Sequence, residues 1–169
     1  MNFNNANCHL SKPVYRPASE SREKYYENRR KYFNENLKNK SVIYEGKETK
    51  LVFHDIEGDK CFNKFAKGSE ACHTDKDGNL FYDRERLERL NWIFEILEKI
   101  ELCEKCKFIQ IRKDKTFPDR KNIVCFCNNY KIVIIIKENE KYNIIVSAYY
   151  ILTNKEQNER KKRKKQKGT

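Results

Sequence analysis

Apolar residues recur with two different periods in this chain, and the period changes near residue 105. In residues 19–39, SESREKYYENRRKYFNENLKN, Tyr25, Tyr26, Tyr32, Phe33 and Leu37 fall on a narrow stripe at helical spacing, with charge elsewhere. That spacing predicts an amphipathic helix, capped by Ser19 or Ser21. Residues 82–101, YDRERLERLNWIFEILEKIE, predict a second helix with Asp83 as its N-cap. Here Leu87, Leu90, Phe94, Leu97 and Ile100 or Glu101 trace the 3.6-residue period. Between the two, SVIYEGKETKLVFH (41–54) places short β-branched runs around a Glu-Gly-Lys turn and predicts a hairpin. Residues 55–79 carry Gly58, Gly68 and Gly78 and predict loop. Before residue 19, Pro13 and Pro17 predict an extended or disordered lead.

Beyond residue 105 the pattern is that of strands. KFIQIRK, NIVCFCN, YKIVIIIK and YNIIVSAYYIL follow one another, the last two joined over ENEK. Strict alternation in the last run puts Tyr142, Ile144, Val146, Ala148 and Tyr150 on one face. Ile145, Ser147, Tyr149 and Ile151 then share the other. Helix, hairpin, helix and a run of strands predict an α+β fold, N-terminal helices packed on an antiparallel sheet. Residues 1–40 are expected to form an arm and helix, 41–154 the main α+β unit, and 155–169 a basic disordered tail.

Charge narrows the class of partner. The chain of 169 residues has a formal net charge of +12, and seven positives lie in RKKRKKQK, Arg160 to Lys167. The rest still carries excess positive charge, so an acidic polymer is the expected partner, and RNA or DNA before a membrane. No apolar run is long enough to span a bilayer, and the first residues have no secretory pattern. Seven cysteines without a secretory signal fit reduced thiols and a cytoplasmic setting.

Three groups can carry chemistry. His73, in a glycine-rich loop just before the second helix, is of the type that changes protonation near neutral pH; His54 is the other candidate, and His9 lies in the lead. Arg84, Arg86 and Arg89 follow, with Arg86 and Arg89 on one helical row where two guanidinium groups can meet a phosphodiester. Glu85 and Glu88 offer the plainer account of an ion-paired helix surface. Ser147 and Tyr149 supply two hydroxyl donors on one strand face. Together these suit attack of a ribose 2′-hydroxyl on its phosphate, with no metal or other cofactor.

The motifs FYDRERLERLNWIFEIL and YNIIVSAYYI, in this order and separation, resemble phage- and mobile-element-encoded nuclease-like proteins of the barnase–EndoU–colicin–RelE superfamily. Arg86, Arg89, Leu90, Trp92 and Ile93 match the family's R-x-x-R-[IL]-x-W-I; Ser147, Ala148 and Tyr149 match its [ST]-A-Y. The family's upstream histidine is best matched by His73, less well by His54. The resemblance covers residues 70–152 and implies a curved antiparallel sheet and a metal-independent endoribonuclease. His73 would be base or acid, Arg86 and Arg89 would bind the phosphate, and Ser147 and Tyr149 would stabilise its developing charge. Arg84 and the tail residues Arg160, Lys161, Lys162, Arg163, Lys164 and Lys165 would add affinity for RNA. A toxin-like activity of this kind also implies a neutralising protein partner. The rival expectation is a non-catalytic nucleic-acid- or protein-binding regulator on the same scaffold. A further one is structural zinc on Cys103-x-x-Cys106 and Cys125-x-Cys127.

Overall fold

A computed structural model describes residues 9–67, 82–105, 109–127 and 130–151 of the chain. His73, Cys106 and the whole tail from Arg160 to Lys165 lie outside the described residues, as do the thiols of Cys103 and Cys127.

The elements run α1 (Arg22–Asn36), β1 (Ser41–Tyr44), β2 (Lys47–Leu51), α2 (Lys60–Ala66), α3 (Arg84–Glu88), α4 (Trp92–Glu98), α5 (Ile100–Lys105), β3 (Ile109–Lys113), β4 (Arg120–Cys127), β5 (Tyr130–Glu138) and β6 (Tyr142–Ile151). The class is α+β. One six-stranded sheet has the order β1-β2-β6-β5-β4-β3. It is antiparallel apart from the β2–β6 pair, which is parallel, so the sheet is mixed.

Local chemistry explains most boundaries. Ser21 caps α1, its hydroxyl accepting the Lys24 amide at 3.2 Å. The β1–β2 turn is Glu45–Gly46, with φ of 50° and 76°. Two consecutive positive φ values define the tight turn whose twist matches a hairpin, and Gly46 adopts its value without a Cβ penalty.

Two regions depart from the expected elements. The segment 55–79, read as loop, contains α2, whose Cys61, Phe62, Phe65 and Ala66 are all buried. Their i, i+1, i+4, i+5 spacing is helical, and the flanking glycines masked it. The expected single helix over 82–101 is three short pieces. Asp83 does cap the first, its Oδ1 accepting the Arg86 amide at 3.1 Å. The helix then stops at Arg89, and α4 restarts with Trp92, Ile93, Phe94, Ile96 and Leu97 all buried. An unbroken helix presents one apolar stripe; burying consecutive residues on several sides needs the axis to be re-aimed.

The lead is docked rather than loose over its described part. Leu10 enters the core. The Ser11 amide donates to Glu95 Oε2 at 2.8 Å, and the Trp92 indole N–H donates to the Ser11 carbonyl at 2.7 Å. The Val14 amide donates to the Glu88 carbonyl at 2.8 Å. Residues 9–14 thus form an extended strap across α3 and α4. One buried cluster unites Tyr25 and Phe33 of α1, Phe62 and Phe65 of α2, the α4 residues, and Ile123, Ile134, Ile136, Ile145 and Ala148 of the sheet.

Candidate functional site

The candidate site begins with an irregularity in β6. Ile136 pairs with Ile145 but Ile135 pairs with Ser147, leaving Val146 as the extra residue of a bulge. The bulge resets the alternation. Ile145 and Ala148, three residues apart, both face the core. The expected grouping of Ile145 with Ser147 and Tyr149 is therefore corrected. Ser147 and Tyr149 still share a face, the one turned away from the core cluster.

Register assembles that reverse face. Arg112, Asn122, Ile135 and Ser147 are directly opposite one another in turn across β3, β4, β5 and β6. The next row is Gln110, Val124, Val133 and Tyr149. Opposed residues project to the same side. Val124 and Val133 are buried yet stand outside the main core cluster, so the reverse face has a small apolar floor of its own. Ser147 and Tyr149 are half-buried beside it.

Electrostatics ties further groups to Tyr149. Burial pushes the phenol above its ordinary range and the Asp114 carboxylate pushes the same way, while Arg86 pulls it down. At neutral pH the phenol is protonated and can donate. Asp114 is itself held below the usual carboxylate range by the Phe117 and Thr116 amides and by Asn122. Its Oδ2 accepts from Asn122 Nδ2 at 3.2 Å, which joins it to the row containing Ser147.

The three helix arginines part company. Arg86 is mostly buried, its side chain 12% exposed and its Nε 4.0 Å from Asp83. Arg89 is fully buried; Nη1 lies 3.0 Å from Glu88 Oε2 and its guanidinium stands 5.3 Å over the Trp92 ring. Arg84 pairs with the same Glu88 through Nε at 2.7 Å. Arg89 is the residue at which α3 ends, its amide donating to the Arg86 carbonyl at 3.2 Å.

His54 follows β2. Leu51 pairs with Ile145 in the parallel neighbour, so the chain leaves the sheet beside the segment that leads to Ser147. Its Nδ1 lies 2.9 Å from the Leu51 carbonyl. A carbonyl only accepts, so Nδ1 carries the proton and the neutral ring keeps its lone pair on Nε2. Sequence reading missed Asn122 and Asp114. Neither stands out in the stretch DKTFPDRKN, where Asp114 lies four residues before Pro118 and Asn122 follows Arg120 and Lys121.

Among the described residues no group of three or more His, Cys, Asp or Glu is placed to hold a metal ion. Cys125 is buried in the core cluster. No helix among them is long and apolar enough to cross a membrane. An open cleft of about 750 Å³ lies elsewhere, between Ile43 of β1, Leu102 of α5 and Ile111 of β3, and contains none of the site residues. Compared with protein families, curated proteins and solved structures, the chain matches none.

Proposed function

We propose that the protein is a metal-independent ribonuclease that binds RNA across the reverse face of its sheet. The observation that carries this reading is the pairing of Ser147 and Tyr149 beside the row of Asn122 and Arg112, with Arg86 acting on the phenol. In the reaction, an imidazole takes the proton of a ribose 2′-hydroxyl. The 2′-oxygen bonds to the adjacent phosphorus, the bond to the 5′-oxygen breaks, and a proton passes to that leaving oxygen. The products are a 2′,3′-cyclic phosphate and a free 5′-hydroxyl. Ser147 and Tyr149 donate to the phosphate oxygens as they gain charge, and Arg86 contributes positive potential. His73 or His54 supplies the imidazole, and the Nε2 lone pair of His54 suits it as a base. The basic tail adds sequence-independent affinity.

The second reading is an RNA-binding protein without catalysis. Arg89 favours it, since that guanidinium is sealed against Glu88 and Trp92 rather than turned to a ligand. Incubation with short RNA in chelator separates the two. The nuclease reading expects cyclic-phosphate ends, a loss of about 10²- to 10⁴-fold on replacing the acting histidine by alanine, and a clear loss in Tyr149→Phe. Intact RNA at high protein concentration leaves the binder. Cleavage undiminished in Ser147→Ala and Tyr149→Phe removes this site from the reaction.

A further inference from the structure

The loop between β3 and β4 is short, basic and tied down at almost every residue. Residues 109–123, IQIRKDKTFPDRKNI, hold Arg112, Lys113, Lys115, Arg120 and Lys121 against Asp114 and Asp119. Both acids are already engaged. Asp114 Oδ1 accepts the Thr116 and Phe117 amides at 2.8 and 3.0 Å, and Asp119 lies 3.4 Å from Lys137. The Asp114 amide donates to the Arg120 carbonyl, and the Arg120 amide to the Phe117 carbonyl, each at 3.0 Å. Pro118 fixes the turn between them. Lys113 and Lys115 are exposed and paired with no carboxylate among the described residues. The outward field of the tip is therefore positive.

Phe117 stands at this tip, 46% exposed. The Arg120 guanidinium covers one side of the ring at 4.1 Å. The ring is otherwise about half open to solvent and is no part of the core cluster. An exposed aromatic ring beside two exposed lysines has the chemistry of single-strand recognition: an unpaired base stacks on the ring while cations hold the neighbouring phosphates. A duplex offers no free base face to such a tip. The Asp114–Asn122 bond and the position of Arg120 in β4 connect the platform to the reverse face, whose Ser147 is two strand spacings from Asn122, roughly 10 Å.

We infer that the β3–β4 tip is a single-stranded RNA-docking finger, in which Phe117 stacks on a base and Lys113, Lys115 and Arg112 hold the flanking phosphates. The inference rests on the RNA-directed reading above and names where the strand is gripped. Because the platform is preorganised, stacking does not have to order the loop first.

The test is fluorescence anisotropy with a short labelled oligodeoxyuridylate, which lacks the 2′-hydroxyl and so reports binding apart from cleavage. An abasic oligomer of equal length and a blunt duplex serve as comparisons. The full chain is expected to bind the oligodeoxyuridylate about tenfold tighter than the abasic strand. Phe117→Ala is expected to abolish that difference while leaving abasic binding unchanged, and Phe117→Trp to retain it. Lys113→Gln with Lys115→Gln should weaken both strands alike and reduce the salt slope by about 0.7 for each lysine. If Phe117→Ala binds every strand as the wild type does, the finger is wrong and the RNA reading survives. A preference of the wild type for the duplex also overturns the finger. If the wild type binds no strand, both fall.

Discussion

The two faces of the sheet are built from the same strands, yet they differ in what they carry. On the inner face Ile123, Ile134, Ile136, Ile145 and Ala148 meet α2 and α4 in a continuous cluster. On the reverse face Val124, Val133 and Ile135 are interleaved with Arg112, Asn122, Ser147 and Tyr149. The inner face spends its area on the hydrophobic effect. The reverse face keeps just enough apolar floor to half-desolvate a few hydroxyl and amide groups, and that setting strengthens any hydrogen bond they make. The contrast breaks if the two faces respond alike to mutation. Ile134→Ala is expected to cost about 2–5 kcal/mol in urea denaturation, and Ser147→Ala to stay within about 0.5 kcal/mol. A comparable loss in Ser147→Ala would make the reverse face a second core and remove the ground for a site there.

The same contrast can be put to the helix arginines. Arg89 belongs to the interior, fully buried against Glu88, whereas the Arg84 side chain is 72% exposed although it touches the same carboxylate. Arg89→Met leaves a buried carboxylate short of its inner partner and should cost about 3 kcal/mol or more. Arg84→Met should cost under about 1 kcal/mol. Equal and small losses would mean that Arg89 is held loosely enough to turn outward, which would return it to the candidate site.

The bulge gives a sharper test of how the faces are assigned. Removing Val146 should restore a regular ladder in which Ile145 still faces inward and Ser147 and Tyr149 outward. The deletion is therefore expected to fold cooperatively, at a cost of about 1–3 kcal/mol. Removing Ile134, in β5, whose ladder with β4 is regular throughout, inverts every residue to one side of it and should abolish cooperative unfolding. If both deletions unfold the protein, Val146 is an ordinary strand residue and the assignment fails.

These cases show what was legible. Ser147 and Tyr149 could be placed side by side from alternation alone, because i and i+2 stay together on either side of a bulge. Their relation to Ile145 could not, since a bulge has no signature in an apolar run. The α+β class followed from the change of period near residue 105. Capping by Ser21 and Asp83 was legible because it is local chemistry. The break at Arg89 was not, as it depends on what Trp92 and Ile93 pack against and on the strap at Ser11. Burial of Arg89 was hidden for the same reason: RERLER reads equally as a solvated helix face. Asp114 and Asn122 join the site only through strand register, a long-range fact.

The smallest expected effect tests whether the β3–β4 tip and the reverse face share one electrostatic environment. Asp114 pushes the Tyr149 phenol up and Arg86 pulls it down, with burial the largest influence. Asp114→Asn should therefore lower the Tyr149 titration midpoint, and Arg86→Gln should raise it, read by ring chemical shifts. The sign carries over to stability. A phenol raised in the fold contributes stability that is complete below its unfolded value, near 10, and is lost as pH rises through the higher folded value. Removing Asp114 brings the folded value closer to the unfolded one, so the alkaline loss of stability should be slightly smaller in Asp114→Asn than in the wild type. If the midpoint ignores Asp114 but follows Arg86, the phenol belongs with the helix alone and the finger acts at a distance from it. If it ignores both, Tyr149 is set by burial only, and its place in a phosphate site has lost its electrostatic support.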